Sequence, residues 1–186
     1  MSYFESNYDK LRFIHATEKQ PGLRGAQIGA AYAVASHFTT QADPAVVVMP
    51  TGSGKSAVIM AACYLLRPKR VLILTPSKLL RDQIAEDFSS LVSLKKFSTV
   101  PVDLKPPKVK AVTGKIDSAD AWKELKGFDV IISTPNCISP GQPGVATAPK
   151  DFFDAIFVDE AHHSPARTWI AILNAFPKAK KTLVTA

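Results

Sequence analysis

The sequence predicts an α/β domain, a mainly parallel sheet flanked by helices on both faces. Two observations carry this. Short β-rich runs alternate with longer helical patterns, and each run is nearly continuously apolar, as strands covered on both faces are. A length of 186 residues, 46% hydrophobic and 21% charged, suits one domain with a single large core.

Taken in chain order, a helix is expected over Arg24–Phe38 and a strand over Ala45–Met49. A helix over Lys55–Leu66 and a strand over Val71–Leu74 follow. Next come a helix over Ser77–Leu91, a strand over Lys110–Val112, a helix over Ser118–Leu125 and a strand over Val130–Ser133. The series closes with a strand over Ala155–Val158, a helix over Pro165–Ala175 and a strand over Thr182–Thr185. Ser77 and Ser118 suit N-caps and Pro165 a first helical turn. Thr99–Pro107 and Ser139–Pro149, rich in proline or glycine, read as surface loops.

The formal net charge of +7 suits a polyanionic partner. Two distant cysteines, Cys63 and Cys137, make no disulfide framework or Cys-x-x-Cys zinc site, which points to a reducing, cytoplasmic compartment. The N-terminus lacks a basic-then-apolar signal pattern, and the longest apolar run, Val58–Leu66, is too short to span a bilayer; no membrane partner is expected.

The stretch MPTGSGKS, Met49 to Ser56, joins a strand to a helix. Gly52 and Gly54, framed by Pro50, Thr51 and Ser53, let backbone N–H groups converge where the helix N-terminus adds its partial positive charge. Lys55 would reach the β and γ phosphates of a nucleotide, and the Ser56 hydroxyl would ligate Mg²⁺. Met49 departs from the strict G-x-x-x-x-G-K-[ST] pattern at its first position. A plain glycine turn could join the two elements, but it has no need of Gly-Lys-Ser at the helix start.

A phosphate cradle only binds; hydrolysis also requires a metal-holding carboxylate and a group that orients water. AIFVDEAHH, Ala155 to His163, supplies both where an apolar strand ends in Asp159-Glu160. Ligands gather at the carboxyl ends of strands in such sheets. Asp159 is read as the Mg²⁺ partner and Glu160 as base or orienter of water. His162 and His163 do not have the spacing of H-E-x-x-H, so a metalloprotease is rejected.

These residues resemble the DEAD/DEAH-box, superfamily two helicases and translocases, and the resemblance runs over most of the chain in the family's order. It implies a RecA-like P-loop NTPase domain using ATP and Mg²⁺. Asp159 to His162, DEAH, resembles the family's second motif, and PTGSGK is familiar there after methionine. LRGAQ, Leu23 to Gln27, resembles the adenine-reading segment, with Arg24 in it and the Gln27 amide, both donor and acceptor, on the base edge. TPSKLLRDQ, Thr75 to Gln83, resembles the Pro-Thr-Arg-Glu-Leu-Ala-x-Gln segment, which implies nucleic-acid contacts at Pro76, Ser77 and Lys78. Lysine replaces arginine there and meets phosphate as a point charge, with Arg81 available to share the contact. STPN, Ser133 to Asn136, resembles the strand-contacting Thr-Pro-Gly-Arg motif, which implies contacts at Thr134 and Pro135. DEAHH with Arg-x-x-Gln is most similar to the restriction-enzyme motor subunits, which favours DNA over RNA.

TLVTA resembles the start of the third motif. The resemblance gives His162 and Thr185 a part in coupling hydrolysis to movement. The expectation is an N-terminal fragment, residues 1–186, of a two-domain motor, with a second RecA-like domain as partner and little turnover alone. Six lysines, Lys95, Lys96, Lys105, Lys108, Lys110 and Lys115, either extend a basic track for nucleic acid or form a solvated face. Trp122 and Trp169 are expected in the core. The rival readings are an RNA helicase domain, a small-molecule kinase or GTPase, and a non-catalytic nucleic-acid-binding P-loop module.

Overall fold

The computed structural model describes residues 1–163 and 167–186. Pro165, expected in a first helical turn, lies outside the described residues. The elements are α1 (Tyr3–Asn7), α2 (Gly25–Thr40), β1 (Ala45–Val48), α3 (Lys55–Leu66), β2 (Val71–Leu74), α4 (Lys78–Ser90) and α5 (Val92–Lys96). They continue with β3 (Val109–Ala111), α6 (Ala119–Glu124), β4 (Val130–Ser133), α7 (Pro135–Ile138), β5 (Ala155–Asp159), α8 (Arg167–Ala175) and β6 (Lys180–Thr185). The six strands form one parallel sheet in the order β1-β6-β5-β2-β4-β3. The expected fold class is therefore the observed one.

Period-two alternation divides each inner strand between two cores. Val71 and Ile73 of β2, Val130 and Ile132 of β4, and Ala155 and Phe157 of β5 face a cluster completed by α2, α3, α4 and Phe4 of α1. Leu72, Leu74, Ile131, Ile156 and Val158 face the other, closed by Trp122, Phe153, Trp169 and Phe176. Trp122 and Trp169 are buried, as expected. The edge strand β1 departs from the expected covering on both faces, since Val46 and Val48 are exposed and only Ala45 and Val47 turn inward.

Ser77 and Ser118 are N-caps: their hydroxyls accept the N–H groups of Leu80 at 3.3 Å and Ala121 at 3.2 Å. Both proline- or glycine-rich segments lack strands and helices. The second is nonetheless tied down, by Trp122 Nε1 donating to Ala146 O at 3.2 Å and Lys115 Nζ to Pro143 O at 2.6 Å.

The parallel register brings the carboxyl ends of all strands to one edge. Val48 lies opposite Thr185, Asp159 opposite Val184, and Leu74 opposite both Val158 and Ser133. The phosphate loop, Thr75–Gln83, Ser133–Asn136 and Asp159–His162 each begin within a residue or two of that edge, while Leu23–Gln27 precedes the sheet.

Candidate nucleotide site

The loop after β1 is drawn tight by Ser53 N–H donating to Pro50 O at 3.1 Å, and Met49 N–H anchors it to Thr185 O at 2.9 Å. Gly54 then takes the left-handed conformation, φ +84°, as the cap of α3. A side chain there would also collide with the Gln27 amide nitrogen. Glycine is thus required by backbone conformation, and any side chain would also displace the Gln27 amide from its place against the loop. Gln27 Nε2 donates to Gly54 O at 3.4 Å while its Oε1 accepts Arg24 N–H at 2.8 Å. The buried amide fixes the start of α2 against the loop.

Lys55 extends across the end of β6 to the end of β5, where its Nζ lies 2.9 Å from Glu160 Oε1. The pairing is electrostatic only. Among the described residues no hydrogen bond of good geometry satisfies this buried Nζ, and the buried Ser53 hydroxyl oxygen is equally without a partner. Unsatisfied buried donors cost free energy, so these two, one on the loop and one at the start of the helix that follows it, fit a polyanionic ligand. Phosphate oxygens are acceptors that suit both.

Glu160 holds φ +53°, strained for a residue with a Cβ. The turn reverses the chain directly after β5. It carries Glu160 to Lys55 and His162 to β6, where His162 Nδ1 lies 3.2 Å from Thr185 Oγ1 and 3.5 Å from Glu160 Oε2.

Asp159 ends β5 with 7% of its surface exposed. Burial raises its pKa, the neighbouring Glu160 charge raises it further, and Lys55 pulls the other way. A carboxylate raised above its unfolded value favours folding while protonated. That contribution is full below the unfolded pKa and is lost as pH rises through the folded one. Asp159→Asn is therefore expected to stabilise the domain at neutral pH by about 0.5–2 kcal/mol, with the gain shrinking on acidification toward the ordinary carboxylate range. Urea denaturation at several pH values measures this; a destabilised variant at neutral pH would contradict it.

Two cavities flank Gln27. One, of ≈ 480 Å³, is bounded by Gly54, Ser56 and Gln27, by Thr17, Gln20, Pro21 and Gly22, and by Asp87, Lys96 and Phe97 from α4 and the chain after it. The other, of ≈ 400 Å³, lies between the start of α2 and residues Met49 to Ser53. Arg24, Gln27, Gly52 and Ser53 border both. Sequence reasoning missed the wall from Thr17 to Gly22. Its signal was Pro21-Gly22 just before a helix: a Cβ at Gly22 would lie 2.7 Å from Ala16 N, because Leu23 pairs with His15 as a parallel bridge.

A family model described as "Type III restriction enzyme, res subunit" matches residues 20–186. The chain belongs to that family. No curated protein matches in sequence. Among solved structures, a hypothetical ATP-dependent RNA helicase from Sulfolobus tokodaii is 21% identical with TM-score 0.57, covering 98% of this chain and 49% of that one. The UvsW helicase from Bacteriophage T4 is 19% identical with TM-score 0.58, covering 98% and 59%. Mss116p bound to ssRNA and AMP-PNP is 18% identical with TM-score 0.63, covering 90% and 36%. This chain thus spans between about a third and three fifths of each, and has the RecA-like fold of a superfamily two helicase ATPase domain.

In this res-subunit fold the residues assigned to nucleic acid sit at the same sheet edge as the phosphate loop. Pro76 and Ser77 lead from β2 into α4, with Lys78 exposed at its first turn. Thr134 and Pro135 lead from β4 into α7, Thr134 being buried with Oγ1 3.5 Å from Cys137 Sγ. Arg81 is not available to share the phosphate contact. It is 5% exposed, and its guanidinium donates to Val112 O at 3.0 Å and to both carboxylate oxygens of Asp82, which locks α4 to the chain after β3.

Proposed function

We propose that this chain is the ATP-binding motor domain of a nucleic-acid-dependent ATPase, of the helicase or double-stranded DNA translocase type, in restriction or repair. Membership of the res-subunit family implies ATP use. The observation that carries the reading is the cradle itself: unsatisfied donors on Lys55 and Ser53, beside Asp159 and Glu160 on the strand two places across the sheet.

In this reading the base and ribose enter beside Gln27 and Arg24, while residues Pro50 to Ser56 surround the phosphates. Lys55 would leave Glu160 for the terminal phosphates and spread their developing charge. Mg²⁺, held by Ser56 Oγ and the Asp159 carboxylate, would supply charge neutralisation across the phosphates. Glu160, released from Lys55, would accept a proton from the attacking water. His162 and Thr185, in contact across β5 and β6, would carry the change at Glu160 toward the third motif.

Pro76, Ser77 and Lys78 would meet the nucleic-acid backbone, a sequence-blind contact, beside the turn that Thr134 and Pro135, buried in this structure, would have to open to reach it. Mss116p, bound to ssRNA and AMP-PNP, supports both ligand classes for the fold. DEAHH favours DNA; the RNA-linked structural relatives keep RNA as the second reading. A second RecA-like domain of the parent chain would close over ATP and add an arginine finger, worth about a thousandfold or more, so this domain alone should turn over slowly. Reduced, buried Cys63 and Cys137 suit a cytoplasmic protein, and among the described residues no helix is long and apolar enough to cross a membrane.

Titration with a nonhydrolysable ATP analogue and Mg²⁺, in competition with GTP, tests the reading. ATP should win by tenfold or more, on the order of one lost base contact. Equal competition by GTP would sink the adenine assignment, and no binding of either would sink the nucleotide reading.

A further inference from the structure

We propose that the sheet edge opposite the phosphate loop is a second docking surface, fitted to the backbone of a nucleic-acid duplex. It extends the nucleic-acid half of the reading above and is independent of the ATP half.

The register of the sheet builds this edge. Lys180 lies opposite Ala155, Ala155 opposite Val71, Val71 opposite Val130, and Val130 opposite Val109. The points where the chain enters five strands therefore form one level row. Four interstrand steps make that row about 19 Å long. It spans about five to six base steps at 3.4 Å each along a nucleic-acid strand.

The row is cationic. Lys178 and Lys180 stand at the start of β6, Arg67 and Lys69 before β2, Lys126 before β4 and Lys108 before β3, all of them exposed. Among the described residues none is in an ion pair. The nearby acids Asp154 and Asp129 turn to the backbone instead, accepting the N–H groups of Arg70 at 2.9 Å and Lys108 at 2.8 Å. Asp151 and Glu5, the latter in one cavity with Arg67, Lys69 and Lys180, are further exposed acids, and the cations still outnumber the acids along the row. The lysines that crowd one stretch of sequence do not form one surface. Lys105 and Lys108 precede β3 at this rim, Lys96 borders the cavity beside Gln27, and Lys115 is tied to Pro143 O.

The chemistry of the row favours a duplex. Lysine ammonium groups read phosphate as point charges and carry no base information. A single strand is usually held on exposed aromatic platforms. Phe152 is buried beneath Arg70, 4.3 Å from its ring, and Tyr8, although 50% exposed, has Arg67 over one face at 4.6 Å, so the rim offers one half-open ring where successive bases need several. An acidic protein partner would call for apolar anchors as well. Among the described residues the exposed ring of Tyr8 stands beside Arg67, a single anchor and not the apolar cluster such a partner needs. Strand β2 separates the rim from Lys78 by about 13 Å of backbone, so the two edges cannot share one phosphate.

The test is fluorescence anisotropy of a labelled 20-bp duplex with the whole chain, without nucleotide, between about 50 and 200 mM salt. Lys69→Gln/Lys108→Gln/Lys126→Gln should lower the slope of log affinity against log salt by about 2 to 3, and the affinity by about tenfold or more at the low end. Its melting temperature should be unchanged, because all three side chains are exposed. Lys78→Gln should weaken binding independently, so that the two losses multiply. A triple variant that binds like wild type overturns the rim alone; a wild-type chain that binds no duplex overturns the nucleic-acid reading with it. An equal loss with a 20-nucleotide single strand removes the duplex assignment. Loss of poly-glutamate binding with duplex binding intact moves the surface to an acidic protein and overturns the proposal.

Discussion

Glu160→Gln should lower ATP turnover by about 10² to 10⁴, the range for removing a positioned general base. Affinity for ATP should be equal to or slightly above that of the wild-type domain. The sign follows from the ion pair at 2.9 Å between Lys55 and Glu160. Any nucleotide must take Lys55 away from this carboxylate, and glutamine leaves the ammonium free in advance. The gain is small, at most about tenfold, because in a pair whose side chains are only 10% and 23% exposed the attraction is largely offset by the desolvation of both charges. The amide is nearly isosteric, so the unusual φ of +53° is untouched. Single-turnover phosphate release, with the chain in excess over ATP, measures the chemistry despite slow turnover. A variant that hydrolyses at the wild-type rate would remove Glu160 from the reaction. One that loses binding as well as turnover would make it a structural residue.

The fold was legible wherever burial alone decides the element. Val71–Leu74 and Val130–Ser133 appear in the sequence with the bounds they have in the structure, because four apolar or small residues between turns have no other way to be covered on both faces. Shorter pieces were not legible. Helix α5 follows α4 after a single left-handed residue, Leu91 at φ +58°, so a leucine without any sequence mark of a helix stop divides what reads as one segment and its tail. Helix α1 has only five residues and exists because Phe4 is buried against Tyr64 at 5.3 Å, a contact across sixty residues that local pattern cannot reveal.

The candidate site divides in the same way. Gly-Lys-Ser after a strand, and Asp-Glu at the end of another, are spaced by chemistry and were readable at once. Their meeting depends on strand order, since β6 is the last strand in sequence but stands between β1 and β5 in space. The part of Arg81 was misjudged because a cation on a helix looks the same in sequence whether it faces solvent or a buried carbonyl.

Lys55→Ala should weaken binding of an ATP analogue by about 10- to 150-fold, the equivalent of one or more hydrogen bonds to a charged group at about 1.5–3 kcal/mol. The fold should not suffer in proportion. Among the described residues Lys55 Nζ makes no hydrogen bond of good geometry, so its removal takes away the burial cost of the ammonium together with its ion pair to Glu160. What it leaves behind is a denser negative site. Lys55 opposes the rise in the Asp159 pKa, so without it Asp159 should titrate higher still and hold Mg²⁺ no better. Two measurements therefore separate the roles. Urea denaturation should find the stability within about 2 kcal/mol of wild type, because the attraction lost between side chains 10% and 23% exposed is partly offset by the burial cost of the ammonium that goes with it. Analogue titration should find the affinity lost, and Lys55→Arg should restore only part of it, because a planar guanidinium cannot occupy the place of a compact ammonium against the loop. Unchanged analogue affinity in Lys55→Ala would mean that the phosphates, if they bind at all, lie elsewhere than between the ends of β1 and β5.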